Sequence, residues 1–390
     1  MTLTSAELSR SLAPEAKRLT NWLLNDALPL WFDAGFDRET GSFAEELDIA
    51  SGKDTGANHR SRVQPRQIYS FAMAEQAGWT GPWKEAVTKG LVFLEKHHLQ
   101  TNGTNVGLLS PDGRVLDNTF ELYNQAFVLL AYSAIAKLEP ARAREMEQKA
   151  SRLMDVLETE HSAAEGGFQD DPNAPLKANP HMHLFEAMLG WEAVGSNPRW
   201  QATADRIAAI ALNHLADPKT GAIREFFSAD WSALPGEDPC QIEPGHQFEW
   251  AWLLCRWGKL RQNDKAIALA GKLFTVGAEH GVDPKRGIAM MGLANDFSPK
   301  DTLARLWSQT EWLKSALILA TLSQSEEEKT GYEAAALKAI AALDKYLDCP
   351  IKGLWHDKIF ADGTVKDEPA PASSLYHIIV AILDLKAYAA

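Results

Sequence analysis

The 390-residue chain is poor in the features that mark export, membranes or polyanion binding. It has only three cysteines, Cys240, Cys255 and Cys349. They show no metal-ligand spacing and cannot all pair internally, which fits reduced thiols in a cytosolic protein. The first residues, MTLTSAELSRSLAPEAKRL, carry no apolar signal-peptide core, and no apolar run approaches a membrane span. Basic residues are in the minority, 39 Lys and Arg against 52 Asp and Glu, for a net charge of -13. That balance disfavours a nucleic-acid partner, although a local pocket can still hold arginine. A Gly-rich phosphate loop, a nucleophile elbow and His-Glu-x-x-His are all missing. A cytoplasmic protein with no membrane or nucleic-acid partner is expected, as a monomer or homodimer.

What the chain does have is a repeat. Glycine-centred turns lie at Gly41, Gly107, Gly167, Gly221, Gly287 and Gly353, at spacings of 66, 60, 54, 66 and 66 residues. A period near 65 holds two helices and two connectors, whereas open helical solenoids repeat every roughly 34–47 residues. No linker divides the chain, so residues 1–390 are expected to form one domain: an all-α, double-layered toroid of six helical hairpins. Apolar periodicity predicts helices over 10–33, 64–76, from Pro82 onward, and over 118–138, 142–160, 180–194, 198–215, 246–258, 262–280, 302–323, 327–348 and 373–388. Members that mix aromatic and small residues, such as those with Phe120, Tyr123 and Phe127 or with Phe248, Trp250 and Trp252, are assigned to the inner layer. Charged, Ala-rich members such as 329–346 are assigned to the outer one. Stretches 228–245 and 354–372 are long excursions, of the kind that often shape binding sites.

Polar residues recur at corresponding phase where inner helices begin. They are Arg62-Val63-Gln64-Pro65-Arg66-Gln67, Asn179-Pro180-His181-Met182-His183, Glu243-Pro244-Gly245-His246-Gln247-Phe248-Glu249-Trp250, Leu306-Trp307-Ser308-Gln309-Thr310-Glu311 and Ser373-Ser374-Leu375-Tyr376-His377. A closed ring would converge them at one end of the central cavity. Asn179 and His183, four apart, share a helix face, as do His246 and Glu249 at three apart; His181 points elsewhere. Imidazoles titrate near neutrality and suit proton transfer. A single histidine at a helix start is more often structural; two from distant repeats beside carboxylates carry more weight. Each also has an ordinary alternative: Arg66 and Glu311 as buried ion-pair members, Trp252 and Trp307 as core.

These five segments together resemble the N-acylglucosamine 2-epimerase superfamily, and the resemblance runs from the first helix to Tyr388. It implies an (α/α)6 barrel that acts on free reducing sugars without a metal or nicotinamide cofactor. Family positions fall on Arg66, on His246 and His377 as acid/base histidines, and on His183 with Asn179. They also fall on Glu249 and Glu311 as pocket carboxylates and on Trp252 and Trp307 as sugar-stacking tryptophans. The Asn-Pro-His-Met-His segment leans toward the mannose and sulfoquinovose isomerase branch. The implied reaction is interconversion of D-mannose and D-fructose through a cis-enediol(ate). One of His246 and His377 moves the C2 proton, and Arg66 steadies the developing oxyanion. Sugar 2-epimerisation shares that intermediate and stays open, as does a sulfoquinovose substrate. Glycoside hydrolysis by Glu249 and Glu311 and an open protein-binding scaffold are further alternatives.

Overall fold

A computed structural model describes residues 5–234 and 242–390; the middle of the 228–245 excursion, with Cys240, lies outside the described residues. Twelve helices alternate between two layers among the described residues. In chain order they are α1 (5–33), α2 (Val63–Ala77), α3 (83–98), α4 (Leu122–Leu138), α5 (Ala143–Glu160) and α6 (Ala178–Glu192). They continue with α7 (199–215), α8 (Pro244–Arg261), α9 (264–280), α10 (Leu306–Leu322), α11 (Glu326–Leu347) and α12 (Leu375–Tyr388).

The even-numbered helices form the inner ring. Each packs on the next, from α2 through α4, α6, α8 and α10 to α12, and α12 packs back on α2. Their sequences explain the placement, since α10 buries side chains on every face from Leu306 to Ala320. A helix buried on every face is surrounded by other helices, as an inner member must be. The odd-numbered helices present one apolar stripe inward and charge outward. In α5, Met146, Ala150, Leu153, Met154 and Leu157 are buried, spaced as one face of a helix.

The two ends of the chain seal the ring. Trp31 of α1 stacks on Trp355 at 4.6 Å between centroids, and its Nε1 donates to the Gly353 carbonyl at 3.2 Å. Both indoles are buried, each worth on the order of 2–3 kcal/mol of apolar burial. A contiguous apolar core runs from Leu12 to Leu385.

The repeat has a chemical basis. In four turns a glutamine near the start of an inner helix clamps the backbone of the preceding turn. Gln64 accepts from Phe43 N at 3.0 Å and donates to Gly41 O at 2.9 Å. Gln125 brackets Asn105, Gln247 brackets Ile223 and Gln309 brackets Ala289, each through both N–H and C=O. In the third turn His181 takes this place, its Nε2 accepting from Phe168 N at 2.9 Å. His181 therefore does point away from the pocket.

These clamps correct the glycine phase. The residue two before each clamped position is Gly41, Gly103, Gly166, Gly221 or Gly287, and all five hold positive φ. Gly107 and Gly167 are out of phase, and Gly107 is not in the left-handed region. At Gly41 a Cβ would lie 2.4 Å from the Lys89 carbonyl, so the turn tolerates no side chain.

Short two-residue ladders were not anticipated. Lys177 pairs with Phe226 and Arg305 with Lys358. Arg305, at φ -116° and ψ 151°, is extended, so α10 begins at Leu306 rather than near residue 302. The extended Glu121 likewise delays α4 to Leu122. These ladders set a polar rim around the mouth of the ring.

Candidate active site

The inner-helix starts converge on a cavity of about 390 Å³, a size suited to a small ligand. Of the residues expected at the site, Arg66, Asn179, His183, His246, Glu249, Trp307 and His377 line it. They come from α2, α6, α8, α10 and α12, so every inner helix but α4 supplies an expected residue. Helix α4 supplies Tyr123 instead. The sequence signal was present there, because Gln125 sits in phase with the other clamping glutamines.

Two expectations are corrected. Trp252 does not reach this cavity. It lies eight residues into α8 and lines a separate cavity with Tyr69, Arg256 and Asp384, donating from Nε1 to Asp384 Oδ2 at 2.8 Å. Six residues beyond His246 is about 9 Å along a helix, too deep for the mouth. Glu311 is fully buried and does not line the cavity. It supports His377 from behind.

The two histidines share one motif. His246 Nδ1 lies 2.8 Å from Glu225 Oε1, and His377 Nδ1 lies 2.8 Å from Glu311 Oε1. A carboxylate accepts and does not donate, so Nδ1 carries the proton and Nε2 is left to the cavity. The Trp307 indole stands between the two imidazoles, 4.9 Å from His246 and 5.8 Å from His377 by centroids.

Their electrostatics differ. Burial opposes charging His246, but Glu225 and Glu243 outweigh it and push the imidazole up to about 10. Burial, Arg66 and Lys314 together hold His377 well below the ordinary histidine range. Burial likewise brings His183 down to about 3. At neutral pH the pocket therefore holds one imidazolium, His246, and two neutral imidazoles, His183 and His377; His246 and His377 stand as an acid and a base on either side of one indole. Burial also raises Glu243 to about 7 and, together with Glu311, raises Glu249 well above the carboxylate range.

Arg66 sits in an aromatic cradle. Its guanidinium lies 4.0 Å from the Phe127 centroid and 5.2 Å from that of Tyr376. It donates to the Tyr123 hydroxyl and, at 3.3 Å, to the Ser373 carbonyl. Stacked and hydrogen-bonded, it is a fixed positive charge at the wall.

Sequence reasoning gives no site role to Glu225, Glu186 and Lys314, nor to Glu243 and Tyr123, which it places only in an inner-helix start and on an inner helix. Glu225 and Glu243 sit on connectors, and no helical spacing relates Glu225 to His246. Three groups have metal-ligand chemistry within 4.8 Å: His183–Glu186–Glu249, Glu225–Glu243–His246 and Glu249–Glu311–His377. In the last, the Lys314 ammonium lies 2.6 Å from Glu311 Oε2 and already supplies a cation.

The model of the family described as N-acylglucosamine 2-epimerase (GlcNAc 2-epimerase) matches residues 41–381. The chain belongs to this family. A protein from Rhizobium meliloti (strain 1021) named mannose-6-phosphate isomerase is 46% identical over 376 residues, covering 95% of this chain and 97% of that one. A protein from Marinomonas mediterranea named D-mannose isomerase is 26% identical over 321 residues, covering 78% and 80%. A crystal structure of D-mannose isomerase superposes with a TM-score of 0.85 at 23% identity, covering 96% of this chain and 97% of that one. That likeness confirms the (α/α)6 barrel. No described helix is long and apolar enough to cross a membrane.

Proposed function

We propose that the protein is an aldose–ketose isomerase that interconverts D-mannose and D-fructose through a cis-enediol(ate), with the ring of residues 1–390 acting as one cytoplasmic catalytic unit. The observation that carries this reading is the pair of carboxylate-held histidines on either side of Trp307. The sugar ring opens to expose the C1 carbonyl. His377 Nε2 takes the C2 proton; the C–H electrons form the C1–C2 double bond, and His246 protonates O1. The oxyanion develops beside the fixed charge of Arg66. His377 then returns its proton to C1 while the O2 proton passes to His246, giving the ketose and restoring both imidazoles. Glu249, whose carboxyl burial and Glu311 raise well above the usual carboxylate range, hydrogen-bonds a sugar hydroxyl. Asn179 and His183 orient hydroxyls, and Trp307 gives the sugar an apolar face. Each proton transfer contributes about 10²–10⁴-fold.

The rim favours a sugar without a phosphate. Lys177 is bound to Asp170 at 2.7 Å, Arg305 to Asp357 at 2.9 Å and Arg60 to Glu45. Each cation already carries its own carboxylate, and Glu121, Glu225 and Glu243 add further acid to the lining.

The test is direct. Purified protein without added metal is mixed with mannose, mannose 6-phosphate, N-acetylglucosamine, cellobiose and sulfoquinovose in deuterium oxide, and the products are separated. Fructose labelled at C1 from mannose is expected. Label confined to C2 of an epimer would replace isomerisation by epimerisation. Turnover of mannose 6-phosphate in preference to mannose would overturn the assignment of a neutral substrate.

A further inference from the structure

Lys314 is the only buried lysine among the described residues. It lies one helical turn beyond Glu311 on α10, with Nζ 2.6 Å from Glu311 Oε2 and 3.8 Å from the Trp252 ring centroid. Glu186 and Glu249 approach from α6 and α8, close enough for both to act on its charge. Burying an ammonium costs several kcal/mol unless it is paired, so its place beneath the reacting pocket asks for a reason.

His246 and His377 provide an internal comparison. Each sets Nδ1 2.8 Å from one glutamate oxygen. Only the glutamate of His377 is backed by a lysine; Glu225 forms no ion pair with Lys or Arg among the described residues. We propose that Lys314 is a positioning residue of the reaction: by holding Glu311 as a carboxylate that accepts from His377 Nδ1–H, it keeps His377 Nε2 free to take a proton from the sugar. This rests on the isomerase reading of the pocket.

The argument is a proton count. With Lys314 present, a carboxylate and an ammonium balance, and the imidazole stays neutral. With Lys314 removed, Glu311 and a neutral His377 bury a net negative charge next to two more carboxyl groups, and the pair takes up a proton. If the proton goes to the imidazole, Nε2 is protonated. If it goes to Glu311, the carboxyl donates to Nδ1 and drives the imidazole proton onto Nε2. Both arrangements occupy the nitrogen that must act as base. The charged groups around His377 are Arg66 from α2, Glu311 and Lys314 from α10, Arg305 ahead of α10, Glu186 from α6 and Glu249 from α8. Among its described side chains, helix α1, also packed on α12, buries only apolar ones. Of the described lysines and arginines, Lys314 alone pairs with Glu311.

The test reads the imidazole by ¹⁵N NMR on the whole protein, with His377 assigned by comparison with His377→Asn. In the wild type at pH 7, Nδ1 is expected protonated and Nε2 free. In Lys314→Met, Nε2 becomes protonated at pH 7, and the acidic limb of kcat on mannose moves up by at least about one pH unit. A merely structural lysine would lower kcat at all pH values without moving that limb. The double variant Glu311→Gln, Lys314→Met restores charge balance and is expected to return both the free Nε2 and the limb to their wild-type positions. An unprotonated Nε2 in Lys314→Met overturns the proposal. Where that variant does not fold, a protonated Nε2 in the double variant overturns it. Absence of turnover on mannose by the wild type defeats the isomerase reading instead, and leaves the NMR comparison intact.

Discussion

The Trp307 indole lies 4.9 Å from the imidazole of His246, and its position at the second residue of α10 is what brings it to the mouth. Trp252, deep in α8, reaches a different cavity. Trp307→Phe is expected to raise KM for the sugar about tenfold, the loss of roughly 1.4 kcal/mol of stacking and apolar contact. Trp252→Phe keeps an aromatic side chain beside Lys314 and loses the hydrogen bond to Asp384 and part of the buried ring. It should leave KM unchanged while costing about 1 kcal/mol of stability. Steady-state kinetics with urea denaturation separates the two; a raised KM in Trp252→Phe would return that residue to the sugar site.

His377→Asn removes the base and keeps a side chain able to hydrogen-bond Glu311. Turnover and solvent-deuterium incorporation are expected to fall together by about 10²–10⁴-fold, with the far-ultraviolet circular dichroism unchanged. Exchange at C2 that survives the substitution would move the base elsewhere.

The ring was legible because its determinants are local: helix periodicity, a recurring glycine turn and polar residues at helix starts. Depth along a helix and pairing across connectors were not. Trp252 and Trp307 look alike in sequence, yet one is the ninth residue of its helix and the other the second. Glu225 lies 21 residues from His246, in the bend just ahead of the strand Phe226–Phe227, whose two-residue length leaves no alternation pattern to read. The glycine phase slipped at Gly107, which lacks positive φ, and by one residue at Gly167, because the turn is defined by the positive-φ glycine two residues before the clamped position. Gly103 and Gly166 meet that condition beside clamped backbone.

The glutamine clamps tie fold to site, since Gln247 is adjacent to His246 and brackets Ile223 through 2.9 and 2.8 Å hydrogen bonds. Gln247→Ala leaves a buried N–H and C=O unpaired, which costs about 1–3 kcal/mol each. A lowered urea midpoint with unchanged m is expected, together with a lowered kcat because the start of α8 loses its anchor. Gln125→Ala should cost similar stability but less activity, because α4 contributes neither imidazole. Equal losses of kcat in the two variants would separate the clamps from the positioning of His246.

Glu225→Gln tests the acid. The His246 imidazole is raised to about 10 in the folded protein, against burial, by Glu225 and Glu243, whereas a free imidazole titrates near 6.5. A group raised on folding stabilises the native state fully below its unfolded value and loses that contribution as pH climbs through the folded one. The wild type should therefore lose stability between about pH 6.5 and 10, and Glu225→Gln should lose less over the same interval. Activity follows the same group, because the imidazolium must be present to protonate O1. The alkaline limb of kcat is expected to move toward neutrality in Glu225→Gln while the acidic limb, set by His377, stays in place. Parallel pH titrations of kcat and of the urea midpoint check both signs. An alkaline limb that does not move would remove His246 from the role of acid.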